Sequence, residues 1–191
     1  MKRIIPILLL AAFILPLAAC SVPAPAVDKD GWKVPLENAL GLIREYDPAL
    51  LETIVPPSEN EYFINYYKEK GEDYEELLRG EYAAVAEEYN EVFGEDWVIT
   101  YELLDAAEKD EEGIRKYKEF DGFYFETYGI DTDKIQAVTF VKALVKISGS
   151  KGENSKEKTV QCFCYDGEWY SFYALRFGLK LANMNDKQAA D

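Results

Sequence analysis

The sequence predicts an α+β fold in which N-terminal helices pack on an antiparallel β-sheet that ends in a C-terminal β-meander. Three observations carry this expectation. Upstream of Gly129 most apolar residues recur at helical spacing, punctuated by Pro and Gly. Downstream, Ile135, Ala137, Thr139, Val141, Ala143, Val145 and Ile147 alternate with period two, which places them on one face of a long strand. Asp166 and Gly167 then separate two further apolar runs, a strong hairpin signal because the turn needs positive φ. One domain over residues 35–177 follows from this pattern, with a leader and tether before it and a fraying tail, residues 178–191, after it.

Residues 1–19 have the composition of an export signal. Lys2 and Arg3 precede an uncharged apolar run, which is too short for a comfortable membrane span of about 20 residues. The run closes on Leu17, Ala18, Ala19 and Cys20, which resembles the lipobox of bacterial lipoproteins. That resemblance implies a diacylglyceryl group on the Cys20 thiol, cleavage before Cys20, and a lipid-anchored protein on the extracytoplasmic side of a bacterial membrane. An ordinary signal peptide or an uncleaved anchor would also export the chain. Residues 20–34 mix Pro, Ala and charge without a period and read as a flexible tether spanning about 20 Å. Within that stretch Asp28, Asp30, Gly31 and Glu37 match part of a calcium loop. Ala26 replaces a required Asp and Pro35 interrupts the loop, so no metal site is read there.

Pro35 to Tyr46 places Leu36, Leu40 and Ile43 at helical spacing, with proline suited to the first turn. Asp47 before Pro48 reads as the cap of a short helix through Ile54. Ser58 with Glu61 forms the pattern of a capping box for the next helix, which carries Tyr62, Phe63, Tyr66 and Tyr67. Tyr74 to Phe93 shows a broad apolar stripe closed by Gly94. Trp97 to Leu104 is the first strand, with Trp97, Ile99, Tyr101 and Leu103 on one face. Asp110 to Tyr128 reads as one helix, weakened by Gly113 and Gly122. Ser148 to Lys158 has loop chemistry, and strand character returns at Thr159 to Tyr165 and at Trp169 to Leu175.

The formal net charge is −15, and removal of the leader makes it two units more negative. Such a surface repels phosphate backbones, so nucleic acid is not an expected partner. The chain has no histidine, which excludes the usual Ser/His/Asp and Cys/His nucleophilic systems and the commonest metal ligand. No catalytic set, metal site or cofactor motif is recognised. Cys162 and Cys164 share a strand face, where core packing as small hydrophobes competes with oxidation or an interchain bond. Asp131 and Asp133 read as turn caps, and the acidic runs at Glu72–Glu76 and Glu108–Glu112 as solvated helix starts. With 14 tyrosines, 10 phenylalanines and three tryptophans the chain can line a pocket, and Trp97, Tyr101, Trp169 and Tyr170 are its candidate residues. Trp169 and Tyr170 point to opposite faces, so at most one of them can serve.

The helix ending in Arg44, Glu45, Tyr46 and Asp47, followed far downstream by a terminal strand pair carrying Asp166, Gly167, Glu168, Trp169 and Tyr170, resembles the cystatin-like, nuclear-transport-factor-two-like superfamily. The resemblance implies a sheet curled into a cone that many members use for binding or assembly and some for catalysis. The expected function is therefore an anchored lipoprotein that binds a small ligand or a protein partner. A cavity acid/base enzyme of the isomerase or dehydratase type, or a module that forms homodimers, is the alternative.

Overall fold

The computed structural model describes residues 27–171; the leader, Cys20 and the residues after Ser171 lie outside the described residues. The chain is α+β, and it runs through helices α1 (Lys33–Arg44), α2 (Pro48–Leu51), α3 (Pro57–Glu69) and α4 (Tyr74–Phe93) before its first strand. Strand β1 (Val98–Glu108) leads to helices α5 (Glu111–Phe120) and α6 (Gly122–Thr127). Strands β2 (Ile135–Gly149), β3 (Gly152–Tyr165) and β4 (Glu168–Tyr170) complete one antiparallel sheet of order β1-β2-β3-β4.

Local signals explain most of the boundaries. Asp47 Oδ1 accepts from the Ala49 N–H at 2.9 Å, and Asp73 Oδ1 accepts from the Glu76 N–H at 3.0 Å. Gly94 closes α4 at φ +98, a conformation that glycine adopts without strain. Helix α4 buries Leu78, Tyr82, Val85, Tyr89 and Phe93, spaced three or four residues apart, against the sheet. Ser58 does not cap α3. Pro56 takes the cap position and Pro57 the first turn, which places Ser58 inside the helix.

The predicted helix over 110–128 is two helices. The chain breaks at Asp121, whose buried side chain lies in the elbow, and the new direction lays Phe125 and Tyr128 on Val138 and Phe163. Helices therefore cover both sheet faces, α1 and α4 on one and α5 and α6 on the other. A bulge at Gln136 adds Ile135 to the second face, beside Val138 and Phe163. Ile135 pairs with Tyr165 and Ala137 with Cys164, so Ile135 lies on the face opposite Ala137, not on the shared face expected from strict alternation. From Ala137 to Ile147 the expected face is buried throughout. Asp166 (φ 54) and Gly167 (φ 92) form the expected two-residue turn.

Of the polar stretch 148–158, read as loop, only Ser150 and Lys151 form the turn, and the rest is strand. Pairing continues to Gly149 opposite Gly152, because ladder hydrogen bonds come from the backbone and do not require apolar side chains. Cross-strand ion pairs Lys142–Glu157 and Lys146–Glu153, both at 2.6 Å, line the outer face of this hairpin. Its tip docks under the end of α4, where the Lys151 N–H donates to Phe93 O at 2.9 Å and Ser150 donates twice to Asp96 Oδ1.

Residues 28–34, read as tether, pack on the domain. Trp32 is buried, and the Trp169 indole N–H donates to Asp28 O at 2.7 Å. A Cβ on Gly31 would fall 2.2 Å from Trp169 Cδ1, so only glycine lets this strap lie flat on the ring.

At the hairpin tip, a Cβ on Gly149 would stand 2.3 Å from the main-chain oxygen of Phe93, which cannot rotate away. Gly149→Ala is expected to destabilise the fold by about 1–3 kcal/mol in urea titration. Gly152→Ala, which meets nothing within 4 Å, is expected to leave the midpoint within about 0.5 kcal/mol of the parent.

Candidate functional site

Strand β1 forms one edge of the sheet, and the helical cover thins as it approaches that edge. Ile99, Tyr101 and Leu103 face the same side as buried Ala143, Val145 and Ile147 on β2, yet Ile99 and Tyr101 are only half-buried and Leu103 is exposed. Between this strip and α1 lies an open groove of about 640 Å³, bordered by Glu37, Leu40 and Arg44 on one side and by Trp97, Ile99 and Tyr101 on the other.

Tyr101, Glu37, Arg44 and Asp96 are each held by named partners. The Tyr101 hydroxyl donates to Glu37 Oε1 at 2.9 Å and so bridges strand to helix. Partial burial and the Glu37 carboxylate push the Tyr101 hydroxyl up to about 12. Arg44 donates to Trp97 O at 2.7 Å and Glu95 O at 3.3 Å while its guanidinium lies 4.5 Å from the indole centroid. Trp97 itself is 1% exposed: its ring meets Tyr89 edge-on, and its N–H donates to Asn90 Oδ1 at 2.9 Å. It anchors the inner wall of the groove. Asp96, at one end, is held below the usual carboxylate range by the Ser150 N–H and hydroxyl.

The four candidate pocket residues thus divide in two. Trp97 and Tyr101 border the groove, whereas Trp169 is clamped beneath Gly31 and Tyr170 packs on Phe163 at 6.2 Å on the opposite face. Glu37, Leu40 and Arg44 were not singled out as site residues from sequence. Their spacing marks the flank of an amphipathic helix, and nothing local states which strand that flank will meet. Arg44 also borders a second, smaller groove of about 400 Å³ with Tyr46, Arg79 and Asn90.

Glu59 in the first turn of α3 and Asp121 at the α5–α6 elbow are buried carboxyl groups that the sequence did not flag. Both sit in the helical layers and neither borders the α1–β1 groove. Among the described residues no cluster of three or more Cys, Asp or Glu is arranged to hold a metal ion, and no helix is long and apolar enough to cross a membrane. Asp131 Oδ1 accepts from the Asp133 N–H at 3.0 Å, as a turn cap does. Cys162 and Cys164 are free thiols buried in the core beside Val160. Comparison with family models, curated proteins and solved structures finds no match.

Burial pushes the Cys162 thiol up to about 12 from an ordinary value of 9.0, and it also raises the Cys164 thiol and the hydroxyls of Tyr82 and Tyr89. The folded state therefore keeps protons that the unfolded chain releases. For Cys162, stability is intact below pH 9 and falls between pH 9 and 12 at up to about 1.4 kcal/mol per pH unit. The expected outcome is a urea midpoint that drops steeply above pH 9. Thiol reagents at pH 8 should label both cysteines only at the rate of global unfolding.

Proposed function

We propose that this chain is a lipid-anchored extracytoplasmic lipoprotein whose α+β domain, of the cystatin-like type, holds a small ligand or a protein segment in the α1–β1 groove without chemical turnover. Anchoring is supported by Leu17, Ala18, Ala19 and Cys20 standing directly after the apolar leader. The observation that carries the binding reading is the groove itself, an apolar strip of Leu40, Trp97 and Ile99 bordered by a few fixed polar groups.

The chemistry of those groups favours binding over catalysis. Tyr101 retains its proton far above neutral pH and Asp96 loses its proton far below it, so neither exchanges a proton in the range where a general acid or base works. Arg44 is held in place by one N–H donated to Trp97 O and another to Glu95 O. Glu59 and Asp121, the buried carboxyls that an isomerase-like reading would need, stand outside the groove.

Cys20→Ser is expected to abolish metabolic labelling with palmitate and to release the protein from the membrane fraction; retention of label would refute the anchor. For the groove, amide shifts measured with a set of aromatic and short-peptide fragments should cluster on residues 37–44 and 96–101. Tyr101→Ala is expected to weaken such binding at least fivefold and Tyr101→Phe less than twofold. Shifts that cluster elsewhere would move the site.

A further inference from the structure

The two edges of the sheet are built differently. Among the described residues β4 pairs only with residues 163–165 of β3, and the rest of β3 carries charges of both signs, Glu153, Lys156, Glu157 and Lys158, a usual device against unwanted strand pairing. Strand β1 carries charge of one sign only, on Glu102, Asp105 and Glu108, with a bulge at Leu104. Between Val98 and Glu108 it carries no lysine, arginine or proline, and among the described residues no strand pairs with its outer side. Val98, Leu103 and Leu104 are 55%, 43% and 42% exposed along it.

We infer that β1 accepts an extended segment of a partner protein as a fifth strand, with alternating apolar and basic side chains. This rests on the proposed groove and adds the class of occupant. A strand laid along β1 turns alternate side chains to the two sheet faces. Those on one face enter the groove beside Leu40, Ile99, Tyr101 and Leu103, and so must be apolar. Those on the other face meet Glu102 and Asp105, which calls for Lys or Arg. Pairing starts after Trp97, whose carbonyl oxygen already accepts from Arg44. A second copy fits poorly, because antiparallel β1 strands would gather Glu102, Asp105 and Glu108 of both copies on one short ladder with no basic residue to pair them, in a chain of net charge −15.

The test uses the full-length chain in detergent and an eight-residue peptide of alternating lysine and valine, titrated by calorimetry and amide shifts. Binding is expected at 0.1 M salt, weakening at least tenfold when alternate peptide nitrogens are methylated and at least tenfold in the double variant Glu102→Lys, Asp105→Lys, whose fold is checked by its urea midpoint. Binding that tolerates N-methylation would overturn strand addition while leaving a groove that reads side chains alone. No peptide binding, with aromatic fragments still shifting residues 96–101, would overturn the strand proposal and keep the groove. A peptide-free dimer that Glu102→Lys strengthens would overturn it in favour of self-pairing. Absence of any shift at the groove with either probe would remove both readings.

Discussion

Strand β2 buries Ala137, Thr139, Val141, Ala143, Val145 and Ile147 on one face, and at Gln136 an inserted residue turns Ile135 to the other face, beside Val138. A strand of 15 residues with this much apolar surface on two faces cannot stand at an edge or face water. It must lie between other strands and under helices on both sides. The central place of β2, the α1–α4 layer, the α5–α6 layer and the long β3 partner all answer that requirement. The local devices, from the Asp73 cap to the Asp166–Gly167 turn, set where each covering piece begins and ends.

The cover is unequal. Helix α4 lies over β2 and β3, so the side chains beneath it close into a solid core around Tyr82, Tyr89 and Trp97. Helix α1 reaches β1 mainly through the Tyr101–Glu37 bridge and the Arg44 clamp on Trp97, leaving a channel between them. The space between the helices and the sheet is thus filled where α4 covers the sheet and open at its margin. Recognition at such a margin can draw on main-chain groups of the strand, which a sealed central cavity does not offer.

Periodicity made the core face of β2 legible from Ala137 onward, because burial on one side leaves an unbroken alternation. The bulges at Gln136 and at Leu104 were not legible, since an inserted residue has no side-chain signature and shifts every later residue to the other face. The pairing of Gly152 to Lys158 was hidden for a related reason: polar composition speaks to solvent exposure and is silent about backbone hydrogen bonds. Trp97 and Tyr101 could be placed on a shared strand face from sequence. That Trp169 is spent on holding Gly31 could not, because the glycine lies 138 positions upstream and only the folded chain brings the two together. The α1 wall of the groove was invisible in the same way.

The strap from Asp28 to Trp32 also sets how high the domain can ride. If Cys20 carries the lipid proposed above, seven residue steps lie between it and Val27, the first described residue, and a fully extended chain of that length would reach about 25 Å. A domain moored in that way would be kept from the depth of the compartment above the membrane. It would sample an area within a molecular diameter of the bilayer, where local concentration can stand in for affinity.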